Sequence, residues 1–515
     1  MSFNRLNGPV LSRTAVLLLS ALGTQVMAAA EAPAVSAYAE QTAVGKLTAS
    51  VKRYTLQADA TLYVPVRSTS PTVLRAFPKG LFPDVGSGLA FKGKNKGVLE
   101  FYGVTDRGPN TDGPGKVSNP GGSGSKSFPV PDFHPTFGLI RVTDKAATLV
   151  SSVALIDATG RKMTGLPPVP AKAGAAEIPL TADFRFDPTA SAFDPDGLDL
   201  ESIVVDKARG VLWMSDEYGP YVVKVEPTTG RILRKYGPGD AAADLPAVLG
   251  ERRSNRGMEG LALDAATGKL YGAMQSPIDP LDATGKSLQA TPLGGKATDI
   301  RNQARVIRWM EFDPSTERSR LFVYPVDGVG YDKGRTGTTK LGDVTVLGKG
   351  RFLVIEQGAR ASDGKIQNWL MLVEMPASAT DVATLGHDLE ISSITGAPSQ
   401  GVDFAAVVPL KKTRLLDLNA AGWNTEKAEG VALVDAHTIA LINDNDFSIH
   451  TVLSDASGNP VNGNVEDCAL DATNGTLSAC GAAVTAGVAP LSGPEHQVQF
   501  WLIRFDQDLT ALPSF

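Results

Sequence analysis

One pattern recurs five times in this chain and restricts its fold more than any other feature. A short apolar strand opens on a polar residue, turns through Gly, Asp or Lys, and returns as a second apolar strand that closes on polar residues. The clearest copies are Glu201-Ser-Ile-Val-Val-Asp206 with Val211-Leu-Trp-Met-Ser-Asp-Glu217, and Glu259-Gly-Leu-Ala-Leu-Asp264 with Leu270-Tyr-Gly-Ala-Met-Gln-Ser276. Next come Asp343-Val-Thr-Val-Leu347 with Phe352-Leu-Val-Ile-Glu-Gln357, and Glu429-Gly-Val-Ala-Leu-Val434 with Thr438-Ile-Ala-Leu-Ile-Asn-Asp444. A weaker first copy pairs Ser87-Gly-Leu-Ala-Phe91 with Leu99-Glu-Phe-Tyr-Gly-Val-Thr-Asp106. Further amphipathic strands trail several copies, at 221–225, 305–312 and 369–374. Four antiparallel strands per unit, repeated, predict an all-β propeller of four-stranded blades. A pair of β-sandwiches has no need of the same hairpin with the same polar ends. Strands expected near 54–63 and 72–77 join the last strand, 499–505, to make a sixth blade closed by both ends of the chain.

The hairpins also dictate where the polar ends go. In an antiparallel pair the start of the first strand lies beside the end of the second. Glu201 therefore falls near Asp216 and Glu217, Asp343 near Glu356, and Glu429 near Asp444 and Asp446; Glu259 meets Gln275 and Ser276, and Ser87 meets Asp106. If the first strands surround one axis, these ends gather at one mouth of a central channel. Three long connections, 107–137, 277–303 and 447–497, leave on the same face, where function commonly sits.

So many like charges in one funnel require compensation. Asp106, Glu201, Asp216, Glu217, Glu259, Asp343, Glu356, Glu429 and Asp444 are the candidate metal ligands. Oxygen donors in this number suit Ca2+, which accepts many flexible carboxylates. The chain has five histidines and none ends a repeated hairpin, which argues against a zinc or manganese site. Asp194-Pro-Asp-Gly-Leu-Asp199 is a weaker calcium-loop candidate. Taken singly, any of these acids also suits a structural part, accepting backbone N–H bonds between blades. Arg107 and Arg256 stand beside the acids and Arg360 follows the Glu356 strand; a planar guanidinium fits an anionic phosphoryl group. The catalytic candidates are Glu201, Glu259, Glu429, Arg107 and Arg256, and the chemistry is water attack on a phosphoric ester assisted by the cation. No G-x-S-x-G elbow, P-loop or dinucleotide fingerprint occurs. Ser123-Gly-Ser-Lys126 and His134 are read as loop residues without a catalytic part.

Composition adds limits. Arg5 and Arg13, the apolar run 15–22 and Ala28-Ala-Ala30 form a secretory signal peptide over residues 1–30, leaving a linker at 31–50 and one propeller domain at 51–515. Its removal takes away two arginines and no acid, moving the formal charge from −6 to −8. A mildly acidic, exported protein without a basic tract is a poor partner for nucleic acid or an anionic membrane. The protein is expected to act as a monomer, periplasmic or extracellular, on a small anionic substrate. Cys468 and Cys480 are expected to pair as a local disulfide.

At these motifs the chain resembles the phytase-like family described as having esterase-like activity of phytase. The resemblance rests on Ser87-Gly-Leu89, Val104-Thr-Asp-Arg-Gly108, Leu200-Glu-Ser-Ile203, Met214-Ser-Asp-Glu217 and Asn255-Arg-Gly-Met-Glu-Gly-Leu261. It continues through Leu341-Gly-Asp-Val344, Val354-Ile-Glu356, Ala428-Glu-Gly-Val-Ala432 and Ile442-Asn-Asp-Asn445, spanning roughly 80–510. It implies a secreted bacterial β-propeller that hydrolyses phosphate esters. The third hairpin departs from the pattern, ending in Gln275-Ser276 where the family more usually has a glutamate. A non-catalytic propeller that binds a ligand or partner of the cell envelope through the same mouth is the alternative.

Overall fold

The computed structural model describes residues 33–515 apart from 119, 170–176, 240, 242–243 and 481–483. The expected signal peptide lies outside the described residues. The chain is mostly β. Both faces of most hairpin strands are covered, as in Val211–Asp216 and Thr438–Ile442, where every residue is buried.

Five four-stranded antiparallel units account for the repeats. The first joins Gly88–Asn95, Val98–Val104, Thr136–Val142 and Ala147–Ala154. The second is Leu200–Asp206, Val211–Asp216, Tyr221–Val225 and Ile232–Tyr236; the third is Met258–Asp264, Lys269–Met274, Val306–Asp313 and Arg318–Pro325. The fourth runs from Lys340–Gly348 through Arg351–Ala359 and Ile366–Glu374 to Lys411–Asp417. The fifth takes Gly430–Asp435, Thr438–Ile442 and Gln499–Phe505, and receives the N-terminal strand Gly45–Ala58 as its fourth member. A parallel contact between Gly45–Ala58 and Ala147–Ala154 merges the fifth and first units into one nine-stranded sheet.

The terminal strands therefore complete the fifth unit, and the sixth blade expected from them is not formed among the described residues. The N-terminal linker is also corrected: Ala34–Thr42 pairs with Gly45–Ala58 as a hairpin. The strand expected at 72–77 is instead a short helix, Pro71–Ala76. The Ser70 hydroxyl accepts the Val73 N–H, and Pro71 takes the first helical position, where its missing N–H costs nothing.

The first strands of the units touch one another in a closed cycle. A Cβ on Gly88 would lie 2.5 Å from the Ser202 backbone, so the first and second units meet without room for a side chain. Ser202 Oγ lies 3.2 Å from Leu261 O, where the second unit meets the third. A Cβ on Gly260 would meet Val344 Cγ2 at 2.6 Å, linking the third to the fourth. Asp343 N donates to Glu429 O at 3.0 Å, and Gly430 packs on Gly88 and Leu89.

At the centre of this cycle stands Asp343. Its Oδ1 accepts from Ser202 Oγ at 2.6 Å, Val344 N at 2.8 Å and Leu261 N at 3.5 Å; its Oδ2 accepts from Leu89 N at 3.2 Å and Val431 N at 3.4 Å. Each of the five first strands thus donates to one carboxylate, which pins the ring on its axis.

The long connections are less loose than their composition suggests. Parts of 107–137 and 447–497 form small sheets, including Ser125–Phe128 with Ile178–Thr181, and Lys116–Val117 with Ala469–Asp471. They share a core containing Val117, Phe133, Leu180, Phe447 and Leu470. The expected disulfide is present there, with Cys468 and Cys480 Cα atoms 4.7 Å apart. No helix among the described residues is long and apolar enough to cross a membrane.

Candidate metal and anion centre

Glu201, Glu259 and Glu429 open three different first strands, and their carboxyl oxygens come within 4.8 Å of one another. A second triad, Asp199, Glu201 and Glu217, shares Glu201 with the first; a third joins Asp106, Asp444 and Asp446. Several of these side chains come from positions two apart, where the chain enters or leaves a strand. Asp199 stands two before Glu201, Lys427 two before Glu429, and Asp444 two before Asp446. That spacing is a usable signal for Asp199 and Lys427, which the hairpin ends alone do not single out; the hairpin end already places Asp446 beside Glu429. Asp84 and Lys340 carry no comparable mark.

Three of the expected ligands lie elsewhere. Asp343 is surrounded by donors on every strand, and a cation has no place among converging N–H groups. Asp216 accepts the Asp199 N–H at 2.7 Å and the Gly219 N–H at 3.0 Å, closing the turn after its strand. Glu356 is claimed by Tyr324 Oη at 2.5 Å, Tyr331 Oη at 2.8 Å and Lys412 Nζ at 2.6 Å. Each has spent its oxygens in a private contact. The calcium-loop expectation at Asp194 is also replaced: Arg161 lies within ion-pair distance of Asp194 and Asp196. Arg360 pairs with the exposed Asp363. His134 Nδ1 bonds Met163 O.

The mouth brings cations as well as acids. Lys427 Nζ lies 3.0 Å from both Asp444 and Asp446 and 4.0 Å from Glu429. Arg107 is held by Glu177 at 2.6 Å, Asn110 at 3.2 Å and Asp199 at 3.7 Å, so its guanidinium is largely committed. Arg256 donates to Gly337 O at 3.2 Å, and its pKa falls to about 9 under burial and the nearby Arg253 charge. Lys340 is pulled down by burial and by Arg256 and Lys427, while Glu429 and Glu259 favour its charge. Gln275, in the position where a glutamate was anticipated, donates to Glu259 Oε2 at 3.0 Å.

Burial dominates the acids' protonation. It raises Glu201 and Glu259 well above the carboxylate range, reinforced in each case by neighbouring acids. Glu429 rises to about 8 and Glu217 to about 7 for the same leading reason. Asp84 is raised by burial and by Asp444. Glu217 Oε1 is buried and receives no hydrogen bond among the described residues, and Asp199 Oδ2 has only the Arg107 guanidinium at 3.7 Å. An orphaned acceptor beside further carboxyls is what a hard divalent cation satisfies. The two triads that share Glu201, one with Glu259 and Glu429 and one with Asp199 and Glu217, are each a donor set that fits such a cation, and Asp343 is not.

Backbone strain sits at the same place. Asp446, Phe447 and Ser448 all have positive φ, at 49°, 55° and 61°. Side chains other than glycine resist that region, and such strain concentrates at functional sites. Asp84 Oδ2 holds the segment by accepting from Asn445 N at 2.8 Å and Phe447 N at 3.4 Å.

These shifts set a pH dependence. A carboxyl whose folded pKa is raised stabilises the fold below its unfolded value, and that contribution is lost as pH climbs through the folded value. With chelator present, the melting temperature is expected to fall from about pH 5 to about pH 8, as Glu217 and Glu429 lose protons. Ca2+ is expected to remove much of the fall. Thermal melts across that window with and without chelator check it; a flat chelator profile counts against buried, uncompensated acids.

Residues 87–447 match the family model for phytase-like proteins, described as esterase-like activity of phytase. An uncharacterized secreted protein of Arthroderma benhamiae is 26% identical over 255 residues, covering 43% of this chain and 47% of that protein. The chain thus spans about half the length of this curated relative. Among solved structures, a Lactobacillus plantarum protein is 10% identical with a TM-score of 0.28, covering 92% of this chain and 100% of the other. The glycoside hydrolase family 43 protein BlXynB of Bacillus licheniformis is 9% identical with a TM-score of 0.29, covering 92% and 97%. At such scores neither bears on the fold or chemistry of this chain.

Proposed function

The chain belongs to the phytase-like family, and from that premise we propose that it is an exported, monomeric hydrolase of phosphoric esters that works with Ca2+ at the acidic mouth of a five-bladed propeller. The observation that carries this reading is the meeting of Glu201, Glu259 and Glu429 within 4.8 Å, beside a buried oxygen of Glu217 that receives no hydrogen bond among the described residues. The five-blade count rests on the closed cycle of first strands around Asp343. Export rests on the signal-like residues 1–30.

A divalent cation held by Glu201, Glu259 and Glu429, or by Glu201, Asp199 and Glu217, would supply Lewis acidity toward a phosphoryl oxygen. The protein's own residues do the rest. Lys340 and Arg256 present positive charge to the same acids and orient a small anion against them. Without a cation Glu429 keeps its proton up to about pH 8, so binding of the cation near neutral pH displaces that proton to water. Arg107 acts through Asp199, whose Oδ1 accepts its N–H at 3.1 Å and whose position it fixes. The half-exposed Asp446 and the Lys427 stem mark the way in.

A second reading has its own support: Glu201, Glu259 and Glu429 are only 2–6% exposed, and Lys427 already neutralises Asp444 and Asp446. In that case the mouth binds a ligand or partner without turnover. Purified protein assayed on a chromogenic phosphate ester and a carboxylic ester, with Ca2+ and with chelator, separates the two. Calcium-dependent turnover of the phosphate ester alone is the expected result. No turnover of either ester, with a melting temperature still raised by Ca2+, selects the binding reading.

A further inference from the structure

The axis of the ring has a second end. Beyond Asp343 the five first strands run on to their hairpin turns and enclose a cavity of about 490 Å3. Its apex is formed by Leu89, Leu261, Val344 and Val431, the residues whose N–H groups hold Asp343. The carboxylate and its donors close the axis there, so the cavity is blind and separate from the acidic mouth. Toward the opening the wall stays apolar, with Phe91, Val205 and Leu433.

Charge enters only at the rim. One acid, Asp206, and two cations, Lys207 and Arg209, line the opening. Asp206 is fully buried and answered by Arg209 at 2.8 Å and Trp213 Nε1 at 3.0 Å. The Arg209 fork is further committed to Gly268 O at 3.1 Å. Lys207 is exposed and makes no ion pair among the described residues. An apolar chamber of this size falls in the range of small-molecule sites. A wall of mostly aliphatic side chains, whose one interior polar side chain, Thr345, already accepts the Leu433 N–H at 3.3 Å, favours an apolar guest over water. An unspent ammonium at the lip selects the sign of the guest's polar end.

We propose that this cavity binds an amphipathic monoanion, a carboxylate on a short alkyl chain, with the chain on the aliphatic wall and the carboxylate at Lys207. The site is independent of the acidic mouth and of any turnover there. Decanoate is the probe, titrated calorimetrically into the full chain below its micellar range, with decanol and decyltrimethylammonium as neutral and cationic counterparts. Saturable decanoate binding, tighter than either counterpart, is the expected result. Lys207→Glu, on the exposed rim, is expected to weaken decanoate about tenfold and leave decanol unchanged. Val205→Trp, which fills the chamber, is expected to weaken both. Absence of saturable decanoate binding overturns the proposal, as does decanoate binding that Lys207→Glu leaves unaltered. Equal affinity for all three probes also overturns it, because adsorption to an apolar surface has no sign preference.

Discussion

Asp343→Ala is expected to destabilise the fold by about 3–5 kcal/mol, one of the largest single losses available in this protein. The reason is the number of donors that depend on one side chain. Leu89, Leu261, Val344 and Val431 each turn a backbone N–H to it, and Ser202 adds a hydroxyl. Alanine leaves these donors facing a dry axis, and strands from all five units lose a common partner at once. Asp343→Asn keeps the shape but directs an NH2 group at other donors, so it is expected to recover part of the loss and not all of it. Denaturant unfolding in chelator measures both. The loss should be the same with Ca2+ as without it, because the carboxylate serves the ring and not a cation. Unchanged chelator stability with a lost Ca2+ response would return Asp343 to the metal set.

The second large effect runs the opposite way for stability. Glu201→Gln and Glu429→Gln each remove a carboxyl from a buried cluster of carboxyls. In chelator at about pH 8 each variant is expected to be more stable than the parent by about 1–2 kcal/mol, since one ionisation that folding opposes is gone. The stabilisation by Ca2+ is expected to shrink, and calcium-dependent hydrolysis of a phosphate ester to fall at least about 100-fold. Melts and rates on the same samples test the pair of statements together. A variant that loses activity by misfolding melts lower, so a gain in chelator stability with a loss in rate separates chemistry from structure. Parent-like rates remove the glutamate concerned from the mechanism.

Much of the centre was legible along the chain because it is written in local pattern. Glu201, Glu259 and Glu429 each open an apolar strand, and an antiparallel hairpin leaves no choice about which end they occupy. The convergence of Asp106, Glu217 and Asp444 with them follows from the same rule. Asp343 shows the limit. It too precedes an apolar run, and by pattern it belongs with the glutamates. The ladder is irregular beside Asp343, but equally so at Glu201 and Glu259, so a bulge does not distinguish them. Asp343 stands directly before its axial donor Val344, in the place that Gly88, Gly260 and Gly430 hold before Leu89, Leu261 and Val431, one position after the glutamates. A shift of one position along a strand sends a side chain to the other side without changing composition.

Glu356 and Asp216 fail for a related reason. Asp216 closes its strand as expected, while the Glu356 strand runs on to Ala359; in both cases what the acid does depends on which donors the rest of the chain brings to it. Tyr324, Tyr331 and Lys412 reach Glu356 from other strands and loops, and no spacing near 356 announces them.

The sequence alone determined the repeated hairpin, the class of fold, the end at which the acids collect and the cysteine pair. These follow from side-chain alternation and turn chemistry, which act over a few residues. Tertiary structure alone decided that Gly45–Ala58 completes the fifth unit beside Gln499–Phe505, that one aspartate pins five strands, and that an apolar chamber lies beneath it. Those outcomes depend on contacts between segments hundreds of positions apart, where the choice of partner is made by packing and by satisfying buried donors, not by neighbours in the chain.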